Sequence, residues 1–279
     1  ALNTNTTGSS NTAVGFSAMS QNQTNSNITA LGYQAAYGMR GNDNAAIGYQ
    51  AMKGGTGADG SYSTAVGASA LYAVTSGTQN TAVGYVAGYS NTTGAINAIG
   101  DGALYSNTTG AGNVALGGGN NTALYPSLYA NTTGNYNTAV GMGSLGQNTT
   151  ASNNTAVGYQ ALNVNTFGTG SSAFGYQALK NNTTGNRNTA MGFQTLFTNS
   201  TGTELAAFGV QALQVNTASY NSSFGAYSMY YNTSGASNTA VGNRALFSNT
   251  TADNNTAVGY QSLYTNTTGT GSVAIGTSA

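Results

Sequence analysis

Few side chains in this chain are able to do acid–base chemistry. Asp43, Asp59, Asp101, Glu204 and Asp253 are the only acids in 279 residues, matched by five Lys and Arg, with no His and no Cys. A polysaccharide depolymerase needs a pair of carboxyl groups about 5 to 9.5 Å apart, one to donate a proton and one to attack or to activate water. Asp43 and Asp59 are the only acids in neighbouring segments of the chain's repeat, but they stand five and eight residues before the repeat glycines Gly48 and Gly67. Their preferred reading is therefore as solvated turn residues, and no catalytic residue is assigned. Without His or Cys there is no ordinary zinc, haem, copper or iron–sulfur site and no Ser-His-Asp or Cys-His pair. A calcium-binding roll would need a regular aspartate column, which is absent. No metal and no cofactor is expected.

Two other residue types recur at spacings that suggest binding. Tyr159, Tyr176 and Tyr260 each follow a repeat glycine, as do Tyr33, Tyr49 and Tyr85. An aromatic face stacks well on a pyranose ring, so these are candidate glycan-stacking residues; the competing and preferred reading makes them shoulders of a thin core or contacts between chains. Asn91, Asn107, Asn182, Asn249 and Asn266 head Asn-Thr-Thr sequons, as do Asn5, Asn131 and Asn148, and are candidate N-glycosylation sites. The repeat alone generates them, so their number carries no independent weight. Threonine columns also suggest an ice-binding face, against which stands the single Thr per strand in place of a Thr-x-Thr pair.

The elements that position these residues follow from a repeat. Asn, Thr, Ser and Gly supply 147 of the 279 residues, and only 4% are charged, with a net charge of +0. Such neutrality gives no electrostatic footprint for nucleic acid or for an anionic membrane. No run of 18 apolar residues occurs, so no membrane insertion by this chain is expected, and no signal peptide is visible. The unit Asn-Thr-Ala-Val-Gly recurs sixteen times, from Gly15 to Gly276, mostly at spacings of 16 or 17 residues. The outliers are 19 residues from Gly48 to Gly67 and 24 from Gly117 to Gly141, the second containing the only proline, Pro126.

Each position in the unit has its own restriction. In the coil of Gly158 the structural columns are Asn154, Ala156, Val157, Gly158 and Leu162, and Asn188 is the next-but-one equivalent of Asn154. The position two before the glycine is Ala in every copy but one, where it is Ser223. The residue immediately before the glycine is always apolar, which predicts a buried column, and a second apolar column lies four after the glycine. Asn columns four before and seven after the glycine predict side-chain amide ladders, the second with left-handed backbone at its turns. Gln160, Gln177, Gln194 and Gln211 form a third candidate ladder.

About seventeen residues hold two short strands and two turns but not two helices, so the prediction is an all-β parallel β-solenoid of about 16 coils. At about 4.8 Å per coil it would be a rod of about 75 to 80 Å. It is read as one domain over residues 1–279, with a loop insertion around 118–126 that takes Pro126 out of the stacked wall. Both ends of the sequence fall inside a coil, which suggests axial assembly or a piece of something longer.

The segments Asn113-Val114-Ala115-Leu116-Gly117 and Ser272-Val273-Ala274-Ile275-Gly276 resemble the repeat of YadA-like trimeric autotransporter heads. The form from Asn154 to Leu162 is similar to repeats of long bacterial surface proteins and phage tail fibres. The resemblance touches essentially every coil. It departs from the family in repeat length, since the head repeat is nearer fourteen residues, and in the absence of an anchoring barrel or stalk. It implies a left-handed roll, a homotrimer and an adhesive or spacer role. The expected function is a non-enzymatic structural or adhesive module of an extracellular fibre, cell-surface adhesin or virion fibre, associating with itself as a trimer or head-to-tail filament. A host-surface glycan or protein is a candidate partner. The alternative is a flat-faced solenoid that binds carbohydrate or ice.

Overall fold

The computed structural model describes every residue except residue 56 and residues 120–124. The chain is an all-β parallel solenoid whose coils follow the repeat, and its residues cluster into two compact units, Ala1–Thr150 and Ala151–Ala279. The first unit contains eight strands, from Thr12–Val14 to Thr138–Val140, and the second eight more, from Thr155–Val157 to Val273–Ile275. Within each unit consecutive strands pair in parallel and column stays on column: Thr12 on Thr29, Ala13 on Ala30 and Val14 on Leu31 in the first, Ser172 on Thr189 and Ala173 on Ala190 in the second.

Each coil has one strand of three or four residues, where the sequence predicts two. The opposite wall is a run of turns, yet it bonds from coil to coil like a strand: Leu162 N–H donates to the Ala178 carbonyl at 3.0 Å, and Gln177 N–H to the Tyr159 carbonyl at 2.9 Å. Its irregularity comes from left-handed backbone at non-glycine positions. In the coil of Gly158, Asn153, Gln160 and Leu162 have φ of 63°, 53° and 50°. Each such residue costs about 1 to 2 kcal/mol, offset by the inter-coil bonds and by Leu162 being turned into the core. The Asn column seven after the glycine is not the left-handed one. The repeat glycines end the strands with φ near 130°, and a Cβ on Gly175 would lie 2.5 Å from the Gly192 carbonyl oxygen, so no larger residue fits.

The core holds the Ala column two before the glycine, a second Ala, Ser or Thr column three after it and the Leu or Met column four after it; Ala156, Ala161 and Leu162 are fully buried. The apolar column immediately before the glycine, expected inside, points outward. Strand side chains alternate between faces, so this column must share a face with the Thr two residues earlier, while Asn and Ala share the other. The lumen has room for one large side chain per coil, and Leu takes it from the turn wall, leaving only a methyl opposite.

The two Asn columns are buried but differ in their bonding. Asn154 Nδ2 donates to the Gly168 carbonyl at 2.8 Å and its Oδ1 accepts the Ser171 N–H at 2.9 Å, while Asn188 bonds Gly202 and Leu205 in the same way, at 2.7 and 3.0 Å. This column therefore clips side chain to the backbone of the next coil. The second column does form an amide ladder: Asn107 Nδ2 to Asn91 Oδ1, Asn131 to Asn107 and Asn148 to Asn131, all at 2.8 Å. The glutamine ladder is present too, with Gln177, Gln194 and Gln211 each donating to the preceding Gln at 2.9 to 3.1 Å.

Part of the 118–126 segment lies outside the described residues. Pro126 does not: it is buried in the turn wall, where Ser127 N–H donates to the Gly117 carbonyl at 3.1 Å and resumes the coil. The ring stands at a position whose N–H elsewhere bonds the preceding coil, so the proline gives up a turn-wall bond and no strand bond.

Candidate functional site: the outward strand face

Alternation along each strand sends two columns outward, Thr three before the glycine and the apolar residue one before it. In the first unit the second column is Val14, Leu31, Ile47, Val66, Val83, Ile99, Leu116 and Val140; in the second it is Val157, Phe174, Met191, Phe208, Phe224, Val241, Val258 and Ile275. Leu116 and Met191 are each 45% exposed and Phe224 is 39%, while Val157 is half-buried. Neither column contains a charged residue.

The two outward columns trade size in the Val and Phe strands, though not in every strand: Leu116 stands with Val114 and Ile275 with Val273. In all seven coils with Val before the glycine, the residue two earlier is Thr; in the three with Phe it is Ser172, Ala206 or Ser222. The phenylalanines also stack along the face, Phe208 on Phe224 at 5.0 Å and 8°. Apolarity alone puts this column in the core; its pairing with the residue two positions earlier is the sequence signal that it faces out.

Beside this face run the aromatic residues that follow the glycine. Tyr176 lies between Tyr159, at 5.3 Å and 13°, and Phe193, at 5.2 Å and 7°. Its two ring faces are therefore occupied by neighbours, which leaves edges and hydroxyl to solvent and no face for a pyranose. Tyr260 is 49% exposed, and among the described residues no ring stacks on it.

A second stack joins Tyr72, Tyr89 and Tyr105, each five after its glycine, to Tyr129, which lies twelve after Gly117, at 4.9, 5.1 and 5.2 Å. Burial, followed by the neighbouring phenols Tyr72 and Tyr105, pushes the Tyr89 hydroxyl above its ordinary value of 10.0, and burial with Tyr105 and Tyr125 does the same at Tyr129.

Most of the candidate glycosylation sites prove to be interior, while Asn5 is exposed. Asn107, Asn182 and Asn249 are fully buried, and the side-chain nitrogen that would carry a sugar is spent on the ladder and on a carbonyl of its own coil; Asn91, equally buried, spends its nitrogen on Asn80 Oδ1 and the Gly94 carbonyl. Asn266 is part-buried with the same two bonds, to Asn249 Oδ1 and the Gly269 carbonyl. A glycan on these nitrogens is incompatible with the folded coil.

The acids are dispersed. Asp43 Oδ1 accepts from Asn27 Nδ2 at 2.9 Å, Asp253 Oδ1 from the Ala236 N–H at 2.6 Å, and Glu204 pairs with Arg187 at 3.1 Å. Among the described residues no group of three potential metal ligands comes together, and no helix is long and apolar enough to cross a membrane. No family model matches the chain, and no curated protein is significantly similar to it.

Proposed function

We propose that this chain is a non-enzymatic structural and adhesive module of an extracellular fibre or surface adhesin, and that it associates with copies of itself through the outward strand face. The observation that carries the reading is the neutral, half-exposed apolar column on the outward face, paired with Thr in all seven Val strands and with a smaller residue in all three Phe strands. A face open to water has no ceiling, so nothing penalises a large residue beside another large one. A covering surface at fixed height does, because overpacking and voids both cost free energy. The cover must also match features repeating at about 4.8 Å, the separation of stacked strands. A second copy of this chain meets that condition coil for coil, and it brings no charge to be desolvated. Fully burying a Val, Leu, Ile, Phe or Met yields about 1.5 to 3 kcal/mol. Covering the exposed half of eight such residues therefore yields roughly 6 to 12 kcal/mol per unit, comparable with the roughly 4 to 15 kcal/mol cost of association.

The test is sedimentation equilibrium of the wild type and of Phe224→Glu and Val241→Glu, with circular dichroism to confirm that the coils persist. A wild-type oligomer that becomes monomeric in both variants supports the reading. A wild-type monomer across micromolar concentrations, or variants that associate as the wild type does, overturns it. The alternative of a flat-faced binding solenoid draws on the same neutral Thr and Val columns and on the open ring of Tyr260; a monomer that retains polysaccharide or shapes growing ice would favour it.

A further inference from the structure

The phenol stack of the first unit has no role in the face described above, and its geometry is that of a reactive array. We propose that Tyr72, Tyr89, Tyr105 and Tyr129 form an oxidative cross-linking site, at which a one-electron oxidant, such as the ferryl haem of a peroxidase supplied with hydrogen peroxide, joins neighbouring coils through dityrosine bonds. The four rings are half-buried and nearly parallel, 4.9, 5.1 and 5.2 Å apart at 7°, 6° and 12°. Each oxidised phenol loses one electron to the oxidant and its hydroxyl proton to water. Two phenoxyl radicals then join through ortho carbons, and the ortho hydrogens leave those carbons to restore both hydroxyls. In sum two phenols give up two electrons and two protons, and one hydrogen peroxide takes them up to become two waters.

A run of phenols matters because coupling needs two radicals side by side. A radical in an isolated pair waits for a hit on its single neighbour. In a run of four, which Tyr125 extends at 5.3 Å and 29° from Tyr129, a second oxidation at any other ring can pass from ring to ring until two radicals are adjacent. The surroundings bias where this happens. Lys53 Nζ lies 3.1 Å from the Tyr72 hydroxyl and 5.1 Å over its ring, and a cation there opposes loss of an electron from Tyr72. The oxidising equivalents accumulate on Tyr89, Tyr105 and Tyr129. The matching stack of the second unit, Tyr230, Phe247 and Tyr264, has a phenylalanine between its phenols and cannot relay them.

The experiment treats the full chain with horseradish-type peroxidase and hydrogen peroxide, then maps cross-linked peptides by mass spectrometry. The expected result is an intrachain bridge of Tyr105 to Tyr89 or to Tyr129, lighter by the two hydrogens lost per bond, forming before any bridge of the isolated pair Tyr33 and Tyr49. Tyr105→Phe preserves the ring stack, and in it these bridges are lost while Tyr33–Tyr49 coupling is unchanged. Ladder bridges that form no faster than Tyr33–Tyr49, that arise only between chains, or whose fellow members Tyr89 and Tyr129 couple as readily in Tyr105→Phe, overturn the proposal. The wild-type comparison stands even if the variant is less stable.

Discussion

Replacing Asn107 with Val tests whether the buried amide ladder holds the coils together. Asn107 Nδ2 donates to Asn91 Oδ1 at 2.8 Å and to the Gly110 carbonyl at 3.0 Å, while its Oδ1 accepts from Asn131 Nδ2 at 2.8 Å. Valine fills most of the space but makes none of these bonds. Asn131 keeps its bond to the Gly134 carbonyl at 3.1 Å, whereas Asn91 Oδ1 and the Gly110 oxygen lose the donor that served them. A stranded buried polar atom costs about 1 to 3 kcal/mol, so two such atoms, less what the apolar side chain recovers, put the loss at roughly 1 to 5 kcal/mol, a sizeable share of the roughly 5 to 15 kcal/mol typical of a domain. The chain already contains a milder natural version. Val74 takes this column's place in the coil before Asn91, and there Asn91 Nδ2 turns to Asn80 Oδ1 at 3.2 Å. Asn107→Asp separates shape from bonding, because the carboxylate keeps the outline but presents oxygen to oxygen and buries a charge. It should destabilise more than Val at neutral pH and regain part of the loss near pH 3, below the ordinary Asp value of about 3.9, where the protonated acid can donate. Urea unfolding followed by circular dichroism at both pH values reads the effect. If both variants unfold within about 0.5 kcal/mol of wild type, the ladder contributes nothing net and the reasoning fails.

Two further outcomes are expected. Ala156→Leu and Ala190→Leu insert bulk into fully buried positions and should each lower stability by about 1 to 3 kcal/mol in the same unfolding assay; an unchanged midpoint would mean the lumen has room that the burial of these alanines denies. For Tyr89 the folded hydroxyl is raised above the ordinary phenol value of 10.0. The protonated form is thus favoured by folding, so its stabilisation is complete below pH 10 and is lost as pH rises through the raised value. Alkaline melting curves should fall less steeply above pH 10 in Tyr89→Phe than in wild type, and identical slopes would contradict the assignment.

Column uniformity made the solenoid legible, because only in-register stacking asks for the same residue type at the same place in every coil. The inside and outside of the strand were harder to read. Val is more apolar than Ala, so hydrophobicity alone puts Val157 in the core, yet Asn154 and Ala156 share one face and Thr155 and Val157 the other. What decides between them is that the Asn amide finds two backbone partners inside, at 2.8 and 2.9 Å, and that Leu162 arrives from the opposite wall. Neither fact is local to the strand. The turn wall was illegible for a different reason: Gln160 and Leu162 adopt left-handed backbone that their side chains disfavour, and only bonding to the next coil makes that conformation worthwhile. The sequons show the converse error, since a motif that elsewhere marks an exposed turn is here the inward-facing rung of a ladder.

The scarcity of charge follows from the same stacking. A repeat places like on like about 4.8 Å apart, and two equal charges at that distance repel by about 0.9 kcal/mol in bulk water and ~3 kcal/mol at the effective dielectric of a protein surface. A charged column would accumulate that penalty at every coil, whereas a column of amides or hydroxyls gains a bond at every coil. Charges are therefore tolerated only as single departures, and the one ion pair among the described residues fits the rule. Arg187 and Glu204 occupy the same column, five before Gly192 and Gly209, in adjacent coils, with opposite signs and 3.1 Å between them. The repeat that excludes charge from the interior thus excludes it from the surface as well, and a neutral face of hydroxyl and apolar columns has little for salt to screen. Self-association through such a face should hold equally at low and at high ionic strength, in contrast to docking on an acidic or basic partner, which weakens as salt is added.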